Sequence, residues 1–482
     1  MMNLKKIIKN KLLISPLLIS ISLWLSFGVK LESNFQISTI TELNFIRIFY
    51  PIILLFFFFF SKKQIQKFSI FDYSILLISI SFLVGILNLN LFNYPRIIDF
   101  SNNEILIQKG YVPNKIFEIQ LLIFLIAPLM LTKYLNDAEF FIFFYINLIF
   151  LFLTTLITII FAYEEFIFSE KNFLYYTNFL VNGEILNTPV IRSIGLGRNL
   201  LILSFIFFII FFFSKLSSYK KYIILFIIIL IHFNLFSLQS RTSIYFFLFY
   251  SISFTLYFMI KNKWKYVLTI LIIIILIPNI LSENISLLKN TSNNFELLNS
   301  SSRVFTFFPN KTVNKMSNQI NKSVNTFDDN KKIKTDQSHI IIGKFNTYSS
   351  GRVELWIKSI NSIIDNKYLL LFGFGTSADR YLLEESVSNV FIYCLLSGGV
   401  LGLFILIIFY IFIFYKIFLF LISKKKIEKN KTKYVSIFII IFILYRGLFE
   451  TSFLLYGTDY LFLIISIRLF LNNFKKVNKL FF

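Results

Sequence analysis

Apolar runs of about 17 to 25 residues recur along this chain, separated by polar stretches, and nothing else in the sequence constrains the fold as strongly. A helix rises about 1.5 Å per residue, so about 20 apolar residues cross the roughly 30 Å hydrocarbon layer of a bilayer. The runs fall at 12–29, 43–60, 70–92, 117–132, 140–162, 199–214, 222–238, 244–260, 266–281, 389–415, 434–449 and 459–473. With 56% hydrophobic residues and 65 Phe among 482 positions, a water-soluble globule could not hide its apolar surface. The reading is an all-α polytopic membrane protein with about twelve transmembrane helices. The opening segment, "MMNLKKIIKNKLLISPLLISISLWLSFG", has the basic start and apolar core of a signal sequence but no small-x-small cleavage site, so it reads as an uncleaved first span.

The loop charges test this division. The N-terminal lysines, "SKKQIQK" at 61–67, "SKLSSYKK" at 214–221, "KNKWK" at 261–265, "SKKKIEKNKTK" at 423–433 and the C-terminal lysines all fall on one side if the spans alternate. The positive-inside rule makes that side cytoplasmic, with both termini there. The same rule accounts for the net charge of +23 without a nucleic-acid partner. The domains then read as 1–281 carrying nine spans, 282–388 as one large extracytoplasmic loop, and 389–482 carrying three more. Near 352–365 the loop holds an amphipathic helix, with Val353, Trp356, Ile360 and Ile363 or Ile364 on one stripe and Trp356 as its anchor at the membrane interface. One cysteine, Cys394, and two distant histidines, His232 and His339, form no metal-ligand cluster, so neither metal nor cofactor is expected.

Ten of the 48 basic residues are arginines, and the cytoplasmic loops are written almost wholly in lysine. Eight arginines fall in outside loops or at the outer ends of spans; Arg47 and Arg468 are the exceptions. Guanidinium differs from ammonium in its planar fork, which binds phosphate oxygens bidentately. A pool of arginines at the outer face therefore suits a lipid-linked diphosphate, with Arg192, Arg198, Arg241, Arg352 and Arg446 as candidate ligands. The alternative is pairing with loop carboxylates or headgroups. Arg446 and Glu450 lie one helical turn apart, where an ion pair is the simplest expectation.

The stretch "SSGRVELWIKSINSIIDNKYLLLFGFG", followed by "SNVFIYCLLSGGVLGLFILIIFY", resembles the C-terminal signature of the O-antigen polymerase/O-antigen ligase superfamily. The elements are Ser350, Gly351, Arg352 and Trp356, then Phe372, Gly373 and Gly375, then Ser388, Asn389 and the Gly398–Gly399–Gly402 group. Ser240–Arg241 and Arg446/Glu450 are similar too, whereas the first 180 residues match only in hydropathy. The resemblance implies a GT-C-like transmembrane fold and a metal-independent inverting glycosyltransferase at the outer face of the bacterial plasma membrane. Its donor would be an undecaprenyl-diphosphate-linked glycan, with a chain-length regulator and a flippase as further expected partners. Arg352 and Arg241 would stabilise the departing diphosphate, and Glu354, Glu384 or Glu385 would assist the acceptor hydroxyl. Gly351, Trp356, Gly373, Gly375, Asn389 and Glu450 would position the site. Many members of the superfamily carry a histidine where Ser388 stands, and its absence favours a polysaccharide polymerase over a ligase. A lipid-linked oligosaccharide flippase or other transporter is the non-enzymatic alternative, against which stand the dissimilar halves of the chain.

Overall fold

The computed structural model describes residues 13–26, 66–87, 115–168, 180–181, 184–185, 193–214, 216–237, 241–274, 352–365, 367–376, 378–383, 387–423, 430–451, 453–454 and 457–472. These form fourteen helices and one two-residue hairpin pairing, Leu180–Val181 against Glu184–Ile185. In chain order the helices begin with α1 (Ile14–Ser26), α2 (Ile70–Leu87), α3 (Lys115–Tyr134) and α4 (Asp137–Phe168). Next come α5 (Ser193–Phe213), α6 (Ser218–Ser237), α7 (Arg241–Ile260) and α8 (Trp264–Ile274). The last are α9 (Arg352–Asp365), α10 (Lys367–Phe372), α11 (Ala378–Leu383), α12 (Val390–Ile422), α13 (Lys431–Gly447) and α14 (Thr458–Leu471). Six of the described helices, α2, α4, α5, α6, α7 and α12, are long and apolar enough to cross a membrane. The expected span at 43–60 lies outside the described residues.

The chain divides into two compact units. Unit 1 holds Met1–Thr154 and Asn346–Phe482, and unit 2 holds Thr155–Leu186 and Val190–Phe345, with three residues at 187–189 assigned to unit 1. Within unit 2, α5, α6 and α7 pack around aromatic rings from Phe205, Phe208, Phe212, Phe254 and Phe258. A polar clasp crosses that apolar interior: Ser204 Oγ lies 2.7 Å from His232 Nε2 and also meets the Tyr250 hydroxyl. Such interhelical bonds satisfy polar groups where no water is present.

In unit 1, α2 packs along α12, α13 along α14, and α3 beside both α2 and α14. Asn147 of α4 ties α1 in, accepting from Trp24 Nε1 at 2.8 Å and donating to Ser20 Oγ at 3.0 Å. The outward side of α12 is apolar and open at Leu401, Phe404, Ile408 and Ile411, as a lipid-facing surface requires.

Three segments meet at backbone contact in the middle of this unit. Helix α12 is interrupted at Gly399 (φ 63°, ψ −164°), which frees carbonyls of the preceding turn. The "FGFG" turn after α10 supplies the missing donors: Phe374 N–H bonds to Leu396 O at 2.8 Å and Gly375 N–H to Ser397 O at 2.9 Å. Leu396 lies seven residues past Asn389, about 10 Å down the helix. Irregular backbone at such depth needs protein partners of this kind. The approach depends on glycine: a Cβ at Gly373 (φ +68°) would stand 2.5 Å from Ser397 C, and one at Gly85 of α2 would stand 2.5 Å from Gly375 N. The end of the expected outer loop is thereby built into the helical unit through α10 and α12 rather than standing apart from it.

Candidate functional site

Helix α9 positions the first part of the site. It is amphipathic, as its spacing predicts, but its packed face runs through Trp356, Ser359 and Ile363. Ile360 and Ile364 point outward, 45% and 68% exposed, with Ile357 beside them. The expected stripe is therefore split between two faces. The cause is a hydrogen bond: Trp356 Nε1–H donates to Val387 O at 2.9 Å, so the indole is turned inward as a protein contact. Arg352 is the first residue of α9, one turn from Trp356, and half-buried.

Val387 opens the short segment that leads into α12. Its N–H donates to Asp379 Oδ2 at 3.2 Å. Ser388 adopts a left-handed conformation (φ 51°) uncommon for a residue with a side chain. Asn389 follows as the N-cap of α12: its Oδ1 accepts from Phe391 N–H at 2.9 Å and Ile392 N–H at 3.1 Å. Its Nδ2 donates to Leu448 O at 3.0 Å, which fastens the start of α12 to the end of α13. Tyr393, one turn in, donates to Thr376 O and secures the segment that leaves the "FGFG" turn.

At that end of α13 sits Arg446, buried, between two carboxylates. Nη2 lies 2.5 Å from Glu450 Oε2, and Nη1 lies 3.1 Å from Asp459 Oδ2 at the start of α14. The i, i+4 pair read from the sequence is present, and Asp459 adds a partner that reading missed. Asp459 had one visible signal, as the sole acidic residue after Glu450, placed at the mouth of a span. A guanidinium between two carboxylates has its charge met from within the protein. Arg446 thus braces α13 against α14, and Glu450 is the more open of its two partners.

The remaining candidates divide as follows. Arg192, Gly351, Glu384 and Glu385 lie outside the described residues, and Arg241 and Glu354 are described in backbone only, at the start of α7 and in α9. Arg198 of α5 is half-buried with its Nε donating to Asn199 Oδ1 at 2.9 Å. Arg198 and Arg241 belong to unit 2; Arg352, Trp356, Gly373, Gly375, Asn389, Arg446 and Glu450 belong to unit 1. Among the described residues no group of three potential metal ligands comes together. Comparison of the chain with known protein families, curated proteins and solved structures finds no match. What is established is a membrane protein with a polar end on unit 1, where the first turn of α9 and the termini of α12, α13 and α14 are linked by named hydrogen bonds.

Proposed function

We propose that this protein is a polysaccharide polymerase of the plasma membrane, joining glycan repeat units carried on undecaprenyl diphosphate. One observation carries the reading: the positions singled out by the resemblance to the O-antigen polymerase/ligase superfamily are linked in space as well as in order. Trp356 holds Val387, Asn389 holds Leu448, and Arg446 holds Glu450, while Gly373 and Gly375 admit the turn that meets α12.

In the proposed reaction a sugar hydroxyl of the acceptor unit attacks the anomeric carbon of the growing chain. The bond from that carbon to the diphosphate oxygen breaks, the diphosphate leaves with the electron pair, and the hydroxyl proton passes to a carboxylate. Arg352, at the position the resemblance singles out, is assigned to the departing diphosphate, and Arg446, paired with two carboxylates, is given a bracing role. Arg192, Arg198 and Arg241 are the further diphosphate candidates, and Glu354 or Glu385 takes the proton. Ser388, in place of an imidazole, favours the polymerase over transfer of finished glycan to a lipid core or protein.

The test is Arg352→Lys in the producing cell. Long-chain ladders on a gel are expected to collapse to single repeat units while the protein stays in the membrane fraction. Normal ladders would sink the assignment. Full-length polymer left unattached to its final acceptor would point to ligase chemistry instead.

A further inference from the structure

The chain that leads into α12 runs down beside that helix and back up, and its contacts fix how far it descends. Trp356 of α9 meets Val387 O, just ahead of α12. By Leu371, in α10, the chain has reached Gly399, where an added Cβ would collide with Leu371 O. Gly399 lies ten residues past the cap Asn389, about 15 Å along the helix. From there the chain climbs. Gly375 N–H bonds to Ser397 O, Thr376 O accepts from Tyr393, and Asp379 Oδ2 accepts from Val387 N–H at the top. Helix α2 sets the same level from the other end. A Cβ at Gly85 would stand 2.5 Å from Gly375 N, and Gly85 is fifteen residues past Ile70, about 22 Å along α2. Both α2 and α12 are long and apolar enough to cross a membrane, so the tip of this hairpin stands within the length of two spans.

The two sides of the hairpin differ as a segment inside hydrocarbon requires. Its irregular turn, Gly373 through Thr376, is buried, and the N–H groups of Phe374 and Gly375 are bonded to α12. Backbone that is not helical is tolerated at membrane depth only under such cover. The open side is helical and apolar: Leu370, Leu371 and Phe372 are 43%, 57% and 45% exposed. The two spans packed against α10 expose apolar side chains at the same level. On α12 these are Val400 and Leu401, next to Gly399. On α2 they are Ile80 and Leu83, which flank the Ser81 that a Cβ at Gly398 would strike.

We propose that α10 is a re-entrant segment, and that Leu370, Leu371 and Phe372 lie against the acyl chains of the bilayer. Water is a poor occupant, because three adjacent apolar side chains would be hydrated at once. The hydrocarbon that surrounds α2 and α12 reaches the level of α10, so acyl chains cover all three. Bulk lipid is the partner, selected by depth and apolarity rather than by its headgroup. A stretch that hydropathy leaves in the large loop thereby belongs to the membrane domain. This assignment is independent of the polymerase reading and survives if that reading fails.

The test places a nitroxide on single introduced cysteines of the full chain, with one chain per phosphatidylcholine nanodisc. The natural protein, whose Cys394 is buried, serves as the blank. Collisions are read with oxygen, which concentrates in hydrocarbon, and with a water-soluble nickel chelate. Leu401→Cys on the outward side of α12 supplies the lipid reference. Lys263→Cys, exposed between α7 and α8, supplies the water reference. Leu371→Cys and Phe372→Cys are expected to give an oxygen-to-nickel ratio close to that of Leu401→Cys and severalfold above that of Lys263→Cys. A ratio like that of Lys263→Cys at these positions overturns the proposal, since water then covers the face. Low collision with both reagents overturns it too, because protein and not lipid then covers the face. Leu370→Cys is read in place of either variant if that variant does not fold.

Discussion

Unit 1 buries an arginine near each end, and the two have opposite surroundings. Arg446 sits between Glu450 and Asp459, so its charge is met twice over by the protein. Arg468 has neutral acceptors, Gln66 Oε1 and Leu135 O, an aromatic ring beneath it and a cavity beside it. Both residues close a helix that borders a loop, and hydropathy does not tell them apart. The carboxylates decide: one guanidinium is paired with two of them and braces two helices, and the other is met by neutral acceptors.

The sharpest way to break this comparison is Arg446→Leu. It strands two carboxylates in a buried site, and a loss of about 3–5 kcal/mol is expected, read as a lowered unfolding midpoint and yield. Adding Glu450→Leu and Asp459→Leu should recover much of that loss, because a fully apolar replacement removes the stranded charges. The matching change at the other end, Arg468→Leu, strands no such pair and is expected to destabilise clearly less. Equal losses at the two ends would show that burial, and not charge balance, separates them.

A test of comparable size concerns the turn that meets α12. Gly373→Ala combines a left-handed backbone with a Cβ 2.5 Å from Ser397 C, so a loss of about 2–4 kcal/mol is expected by thermal unfolding. Trp356→Phe keeps the ring packing but removes the bond to Val387 O, for about 1 kcal/mol. Under the polymerase proposal it should also shorten glycan chains, because α9 carries Arg352. The smallest effect has the opposite sign: Gly195→Ala on α5, where a Cβ meets nothing within 4 Å, is expected to stabilise by about 0.5–1 kcal/mol.

Much of the helical framework is legible in the sequence because a span is a local property. The runs at 70–92, 244–260 and 434–449 correspond to α2, α7 and α13 within a few residues, and Asn389 marks the start of α12 by its own capping chemistry. The "GRVELWIKSINSIID" stretch is helical over Arg352–Asp365, since its periodicity is also local. Its inward face was not legible, because a single acceptor 31 residues away, Val387 O, turned Trp356 inward. The six residues of α10 fall within the expected large loop, and the gap in the α12 hydrogen-bond ladder at Gly399 explains why the turn after them folds back against it.

The candidate site divides along the same line. Arg446 with Glu450 could be read at i, i+4, whereas Asp459 could not be paired from sequence, because the geometry of α13 against α14 brings it in. The sequence by itself determined a polytopic helical membrane protein, since transfer into lipid acts segment by segment. Tertiary structure alone decided which arginine is paired with carboxylates and which is met by neutral acceptors, because a buried charge answers to its nearest partners. Those partners, Asp459 for Arg446 and Gln66 for Arg468, come from other segments of the chain.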